Sequence, residues 1–148
     1  SYNKNKIDDP LAFVAGCGAP CTVQNVQRPG SPGIFSIDGN QLPQSPRWIA
    51  NWTAGYAHPV GNGEVYAFTD WAYRSKVQFF LYRSVEFSDD SLLEGGLRLG
   101  YRTDSFDVAL FARNITNDVS AVSGIDFNNL TAMVNEPRIW GVEAGFKF

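Results

Sequence analysis

Residues 138–148, RIWGVEAGFKF, constrain this chain more than any other stretch. Read in steps of two, one set is Arg138, Trp140, Val142, Ala144, Phe146 and Phe148. The other is Ile139, Gly141, Glu143, Gly145 and Lys147. Successive side chains of a strand point to opposite faces. The stretch therefore has one apolar face and one face of glycines and charges. Aromatic residues stand toward both ends of the apolar set, as a membrane-spanning strand requires where it meets the two interfaces.

The same alternation recurs upstream. In residues 47–58, Trp48, Ala50, Trp52, Ala54 and Tyr56 oppose Ile49, Asn51, Thr53, Gly55 and Ala57. In 64–78, Val65, Ala67, Thr69, Trp71 and Tyr73 oppose Tyr66, Phe68, Asp70, Ala72, Arg74 and Lys76, so two aromatics fall on the side that should be polar. In 92–103, Leu93, Leu97, Leu99 and Tyr101 oppose Glu94, Gly96, Arg98, Gly100 and Arg102. In 106–116, Phe106, Val108, Leu110 and Ala112 oppose Asp107, Ala109, Phe111 and Arg113. No helical period of 3.6 competes over a useful length.

Five strands result, and their connections alternate in length. Short turns are expected at 59–63, where Asn62-Gly63 favours a hairpin, and at Asp104-Ser105. Long loops are expected at about 7–46, 79–91 and 117–137. The first is crowded with proline and glycine, which suppress regular structure, apart from a turn at 37–40, IDGN. If the last strand runs toward the periplasm, all three long loops fall on the outer side, as they do in outer-membrane barrels.

Composition agrees with this picture and narrows it. Aromatic residues make up 14% and charged residues 18%, the latter below the usual quarter. No apolar run approaches the ~18 residues a spanning helix needs, but membrane barrels evade that criterion because lipid-facing residues come only every second position. The net charge of −3 gives no reason to expect nucleic acid. The sequence opens at Ser1 without a signal peptide, so an outer-membrane protein would be present as a mature product or a fragment. Cys17 and Cys21, in GCGAPC, are expected to pair in an oxidising compartment. The alternative is two free thiols in a loop.

The final strand resembles the C-terminal assembly signal of bacterial outer-membrane β-barrels, carried here by Trp140, Val142, Phe146 and Phe148. Further motifs, in order, resemble TonB-dependent receptors. GNQLPQSPRW (39–48) resembles the G-x-x-L-P-x-x-P-x-W approach to a barrel strand. VYAFTDWAYRS (65–75) resembles the D-W-x-Y strand that follows it. LFARNITND (110–118) resembles the penultimate strand, and EPRIWGVEAGFKF (136–148) the last. The resemblance covers residues 39–148. It implies an all-β, antiparallel transmembrane barrel of twenty-two strands, of which residues 1–148 supply about five full strands from the C-terminal part. It also implies a plug, energy delivered through TonB by an N-terminal part absent from these residues, and uptake of siderophore-bound iron, cobalamin or a carbohydrate. The partners implied are outer-membrane lipid, the other barrel strands and plug, TonB and the barrel assembly machinery, in the bacterial outer membrane.

Trp48, Trp52, Tyr56, Trp71, Tyr73 and Tyr101 are expected at the lipid interfaces. The polar-face charges Asp70, Arg74, Glu94, Arg98, Arg102, Asp107, Arg113, Glu143 and Lys147 either line a solute path or pair across strands on a wet face. An acid–base pair such as Asp107 and Glu143 lacks a dry cleft, and no catalytic residue, metal site or cofactor is expected. His58 reads as an interfacial polar residue, and Asp89-Asp90 as a solvated loop without the spaced oxygen ligands of a calcium site. The competing expectation is a soluble secreted β-sandwich that binds a ligand or carbohydrate through its loops. In that fold a second sheet must cover Trp48, Trp52 and Tyr56.

Overall fold

A computed structural model, which describes residues 1–147, is all-β and antiparallel. In chain order its strands are β1 (Phe13–Ala15), β2 (Ile34–Ser36), β3 (Ile49–Val60), β4 (Gly63–Arg74), β5 (Val77–Gln78), β6 (Ser88–Asp89), β7 (Leu92–Arg102), β8 (Phe106–Arg113), β9 (Ala121–Asp126), β10 (Leu130–Val134) and β11 (Ile139–Phe146). The chain divides into two compact units. One is a sheet unit of Ala50–Tyr73, Leu92–Val119 and the residues from Glu136 on. The other is a loop unit of Ser1–Ile49, Arg74–Ser91 and Ser120–Asn135.

The sheet unit is a five-stranded sheet in the order β11-β8-β7-β4-β3. Its register converts the alternation of each strand into two continuous faces. Trp140 lies opposite Ala112 and Ala112 opposite Leu97. Val142, Leu110 and Leu99 form the next row, and Ala144, Val108 and Tyr101 the one after. On the reverse face the rows are Gly141–Phe111–Arg98, Glu143–Ala109–Gly100 and Gly145–Asp107–Arg102. A slip of one residue in any strand would exchange the faces, so the register is the step from sequence pattern to surface.

Both tight turns lie at one end of these strands. Gly61 takes φ +62°, the conformation that glycine supplies at the first central position of a two-residue hairpin turn. The turn is therefore centred one residue earlier than Asn62-Gly63 suggested, and Gly63 already opens β4. The second turn is closed by Thr103, whose N–H donates to the Phe106 carbonyl (2.8 Å) and whose hydroxyl accepts from the Phe106 N–H (3.1 Å).

Three sequence expectations need correction. The first strand covers 49–60, not 47–58. Pro59 is accommodated within it because β3 is an edge strand, where one side of the backbone has no ladder bond to lose. Trp48 accordingly lies outside the sheet, in the loop unit, bridged to Tyr2 with ring centroids 4.6 Å apart. The strand expected over 64–78 stops at Arg74, and Val77–Gln78 pair instead with Ser88–Asp89. The long connections are not irregular throughout. Each contains a short antiparallel pair: β1–β2, β5–β6 and β9–β10.

The loop unit has its own core. Val77, Phe79, Tyr82 and Phe87 are buried together, with Val14, Cys17, Cys21, Val23, Phe80 and Ala121 packed around them. Cys17 and Cys21 are disulfide-bonded, their Cα atoms 6.0 Å apart. Buried Asn40 closes the expected 37–40 turn, its backbone N–H donating to the Ile37 carbonyl (3.0 Å). Its amide donates to the Leu81 carbonyl (2.7 Å) and accepts from the Asn25 amide (3.0 Å), satisfying a side chain that would be costly to bury unpaired.

Candidate functional site

The candidate site is the sheet unit's pair of faces. On the apolar face, Trp140 is 66% exposed, Val142 67% and Leu110 59%. Trp52, Tyr56, Val65, Leu99, Val108 and Phe146 are exposed as well. A shallow depression of about 360 Å³ is lined by Leu97, Leu99, Leu110, Phe111, Trp140 and Val142 among others. Exposed apolar surface that continues across neighbouring strands marks an interaction or membrane surface.

Of the aromatics expected at interfaces, Trp52 and Trp71 stack with their centroids 6.0 Å apart. Tyr56 stacks on His58 at 6.5 Å, which gives His58 a ring partner. The Tyr101 hydroxyl donates to the Val60 carbonyl (3.1 Å) at the turn end of the sheet, leaving its ring on the apolar side. Tyr73 is half-buried. Trp140, Val142 and Phe146 share the apolar face, and Phe148 lies outside the described residues.

The reverse face is built around Arg98. Its guanidinium pairs with Glu143 and reaches Asp107 at 3.8 Å, while its Nε donates to the Tyr66 hydroxyl at 3.0 Å. The Tyr66 hydroxyl in turn donates to Asp107 (2.7 Å), and Arg102, paired with Glu64, lies 5.1 Å from the Tyr66 ring centre. These side chains are a third or more exposed, so each pair contributes only about 0–1 kcal/mol. A depression of about 460 Å³ on this face is lined by Phe68, Asp70, Glu94, Arg98, Arg113 and Glu143, with others.

This arrangement explains one of the two aromatics that broke the alternation, Tyr66, and also Phe111 on the same face. Phe68 makes only ordinary contact with Gly55, where an added Cβ would lie 3.5 Å from its ring. Tyr66 lies over Gly100, where an added Cβ would come within 2.5 Å of its ring, and Phe111 lies over Gly141 at the same separation. An aromatic laid across a glycine of the next strand covers backbone that would otherwise lack side-chain packing. Tyr66 and Phe111 are therefore consistent with a polar face, because each occupies the space of a missing side chain.

Asn114 carries a role that the sequence reading missed. It sits at φ +45°, buried, just past β8. Its amide donates to the carbonyls of Asp118 (3.0 Å) and Glu136 (2.8 Å). Its oxygen accepts from the Asp118 N–H (3.2 Å) and the Thr116 hydroxyl (2.9 Å). One side chain thus closes the end of β8 and ties it to the approach to β11. The signal was present in RNITND, since asparagine tolerates the left-handed region and bonds nearby backbone.

Asp107 and Glu143 both pair with Arg98 on an open polar face. Among the described residues no three potential ligands cluster around a metal-sized space. Asp89 faces Arg74 at 3.6 Å, and Asp90 faces Lys76 at 3.2 Å. In the loop unit, burial pushes the Tyr82 hydroxyl well above its ordinary value, with a further rise from its hydrogen bond to Asp126. Backbone donation from Thr22 holds the Glu86 carboxyl below the usual carboxylate range. Compared with protein-family models, curated proteins and solved structures, the chain has no match.

Proposed function

We propose that this chain is a section of barrel wall and outer loops from a TonB-dependent outer-membrane receptor, which takes up a scarce solute such as siderophore-bound iron, cobalamin or a carbohydrate. The observation that carries the proposal is the sheet's division into an exposed apolar face and a polar face in continuous register. A barrel wall needs this division: every second residue meets hydrocarbon, and the alternate residues meet a wet lumen.

Three further features support it. Both tight turns join strands at one end, and every long connection joins them at the other, as periplasmic turns and extracellular loops do. Within the described residues the outer side of β11 has no strand against it, and that of β3 has only Ser1, which pairs with Ile49 at the strand's first residue. In lipid such an edge costs several kcal/mol for each unsatisfied backbone group, so the proposal requires further strands from the same receptor on both sides. The ordered motifs of residues 39–148 supply the family resemblance. A β-sandwich would cover the apolar face with a second sheet, whereas Trp140, Val142 and Leu110 are exposed.

In this role the polar face lines the lumen and meets the plug, the long connections lie outside the cell, and the apolar face meets lipid. Cell fractionation tests it. The protein should sediment with the outer membrane and need detergent to stay in solution once extracted. Recovery from the aqueous fraction as a stable, detergent-free monomer would overturn the proposal.

A further inference from the structure

The loop unit holds its β9–β10 hairpin in two different ways. At the base, Ser120 and Asn135 bond each other: the Ser120 N–H donates to the Asn135 side chain (2.9 Å) and the Asn135 N–H to the Ser120 carbonyl (3.2 Å). Arg74 also donates to the Ala121 carbonyl at 2.7 Å. Midway, Gly124 lies flat on the Phe87 ring, where an added Cβ would come within 2.8 Å. At the tip, the attachment passes through one carboxylate. Asp126 Oδ1 accepts the Gly18 N–H (2.7 Å), and its Oδ2 accepts the Tyr82 hydroxyl.

Gly18 is inside the disulfide ring, which encloses only Gly18, Ala19 and Pro20 between Cys17 and Cys21. The ring fixes the direction of the Gly18 N–H. It also brings Gly18 against the Phe127 carbonyl so closely that a Cβ would lie 2.6 Å from that oxygen. Cys17 and Cys21 rest on the aromatic core that also holds Tyr82. The covalent ring, the core and the acceptor carboxylate thus converge on one point. Beyond it, β10 is exposed at every residue, with Met133 and Val134 uncovered and Phe127 uncovered at the hairpin tip.

We propose that the Cys17–Cys21 disulfide and Asp126 form a redox-controlled latch that holds the tip of the β9–β10 hairpin against the loop core. A dithiol reductant opens it by thiol–disulfide exchange. Two electrons and two protons pass to the Cys17–Cys21 bond, giving two thiols, and the dithiol becomes a disulfide. Without the ring, Gly18 regains the conformational freedom of glycine, and its N–H no longer points steadily at Asp126. The hairpin then swings on its Ser120–Asn135 base and exposes the underside of β9. This inference does not depend on the membrane role of the sheet.

Hydrogen exchange of the full chain, with and without dithiothreitol, tests the latch. Reduction should raise exchange in residues 124–134 by at least about tenfold, and leave 92–113 and the core segment 77–88 unchanged. Asp126→Ala, which removes both acceptor oxygens, should give the same opening in the oxidised protein, and reduction should then add nothing. The double variant Cys17→Ser, Cys21→Ser should match the reduced protein. Unchanged exchange on reduction would overturn the latch. So would loss of protection across 77–88 together with the hairpin, or effects of reduction and Asp126→Ala that simply add.

Discussion

The two units of this molecule solve opposite problems. The loop unit carries little regular structure and buries its apolar side chains inward, around Phe87 and Phe79, with a disulfide to tie the ends of a short ring. The sheet unit carries nearly all the long strands and turns its large apolar side chains outward, from Trp52 to Trp140. The loop unit is organised by contacts between residues far apart in sequence, and the sheet by a backbone ladder and a strict two-residue period. The contrast is between a unit that buries its apolar side chains in its own core and a sheet that leaves its apolar face exposed.

The contrast can be broken most severely from the loop side. Phe87→Ala should destabilise the loop unit by about 3–5 kcal/mol, as for other fully buried aromatics, because Phe87 is 2% exposed at the centre of the only aromatic core described. Denaturant unfolding followed by limited proteolysis should show cleavage within 75–91 first, with the sheet strands protected for longer.

On the sheet the sharper probe is an exposed residue. Leu110 is 59% exposed. Leu110→Arg should cost about 2–4 kcal/mol if that face lies in hydrocarbon, and should stay within about 0.5 kcal/mol if it lies in water. Leu97→Arg should likewise lower outer-membrane levels far more than Arg98→Leu, read by quantitative blotting of the membrane fraction. A smaller effect is expected on the polar face. Glu143→Gln removes one part-exposed partner of Arg98 and should cost no more than about 1 kcal/mol, decreasing as salt is raised.

The smallest effects are those of pH on the loop unit, and they run in two directions. Glu86 is held below its ordinary value, so its contribution is present above the usual carboxylate range and is lost as pH falls through the lowered value. Tyr82 is pushed above its ordinary value of 10.0, so its contribution is full below that pH and is lost as pH rises through the folded value. Thermal melts should show the acid arm weakened in Glu86→Gln and the alkaline arm weakened in Tyr82→Phe.

Those same differences decide what the sequence made legible. The five sheet strands could be read because each carries its own two-residue period, and partners such as Val142, Leu110 and Leu99 repeat it in register. Strand ends were read less well. Ser75 lends its hydroxyl to the Trp48 N–H (3.1 Å), and Val77 leaves the sheet for β6, choices set by tertiary partners and not by local pattern. Within the loop unit the short pairs were illegible for the same reason. Val23 bridges Ser84, and Gly18 meets Asp126, across separations that carry no periodic signal. Polar-face Tyr66 looked anomalous until Gly100 was seen beneath it.

The central claim is that the Trp140 face of the sheet lies in lipid, and tryptophan fluorescence addresses it directly. A protein retaining Trp140 alone, with Trp48, Trp52 and Trp71 each changed to Phe, would be folded in vesicles whose acyl chains carry bromine. Strong quenching by the brominated chains and weak quenching by aqueous acrylamide is the predicted result. Full accessibility of Trp140 to acrylamide, with no response to the brominated lipid, would contradict it.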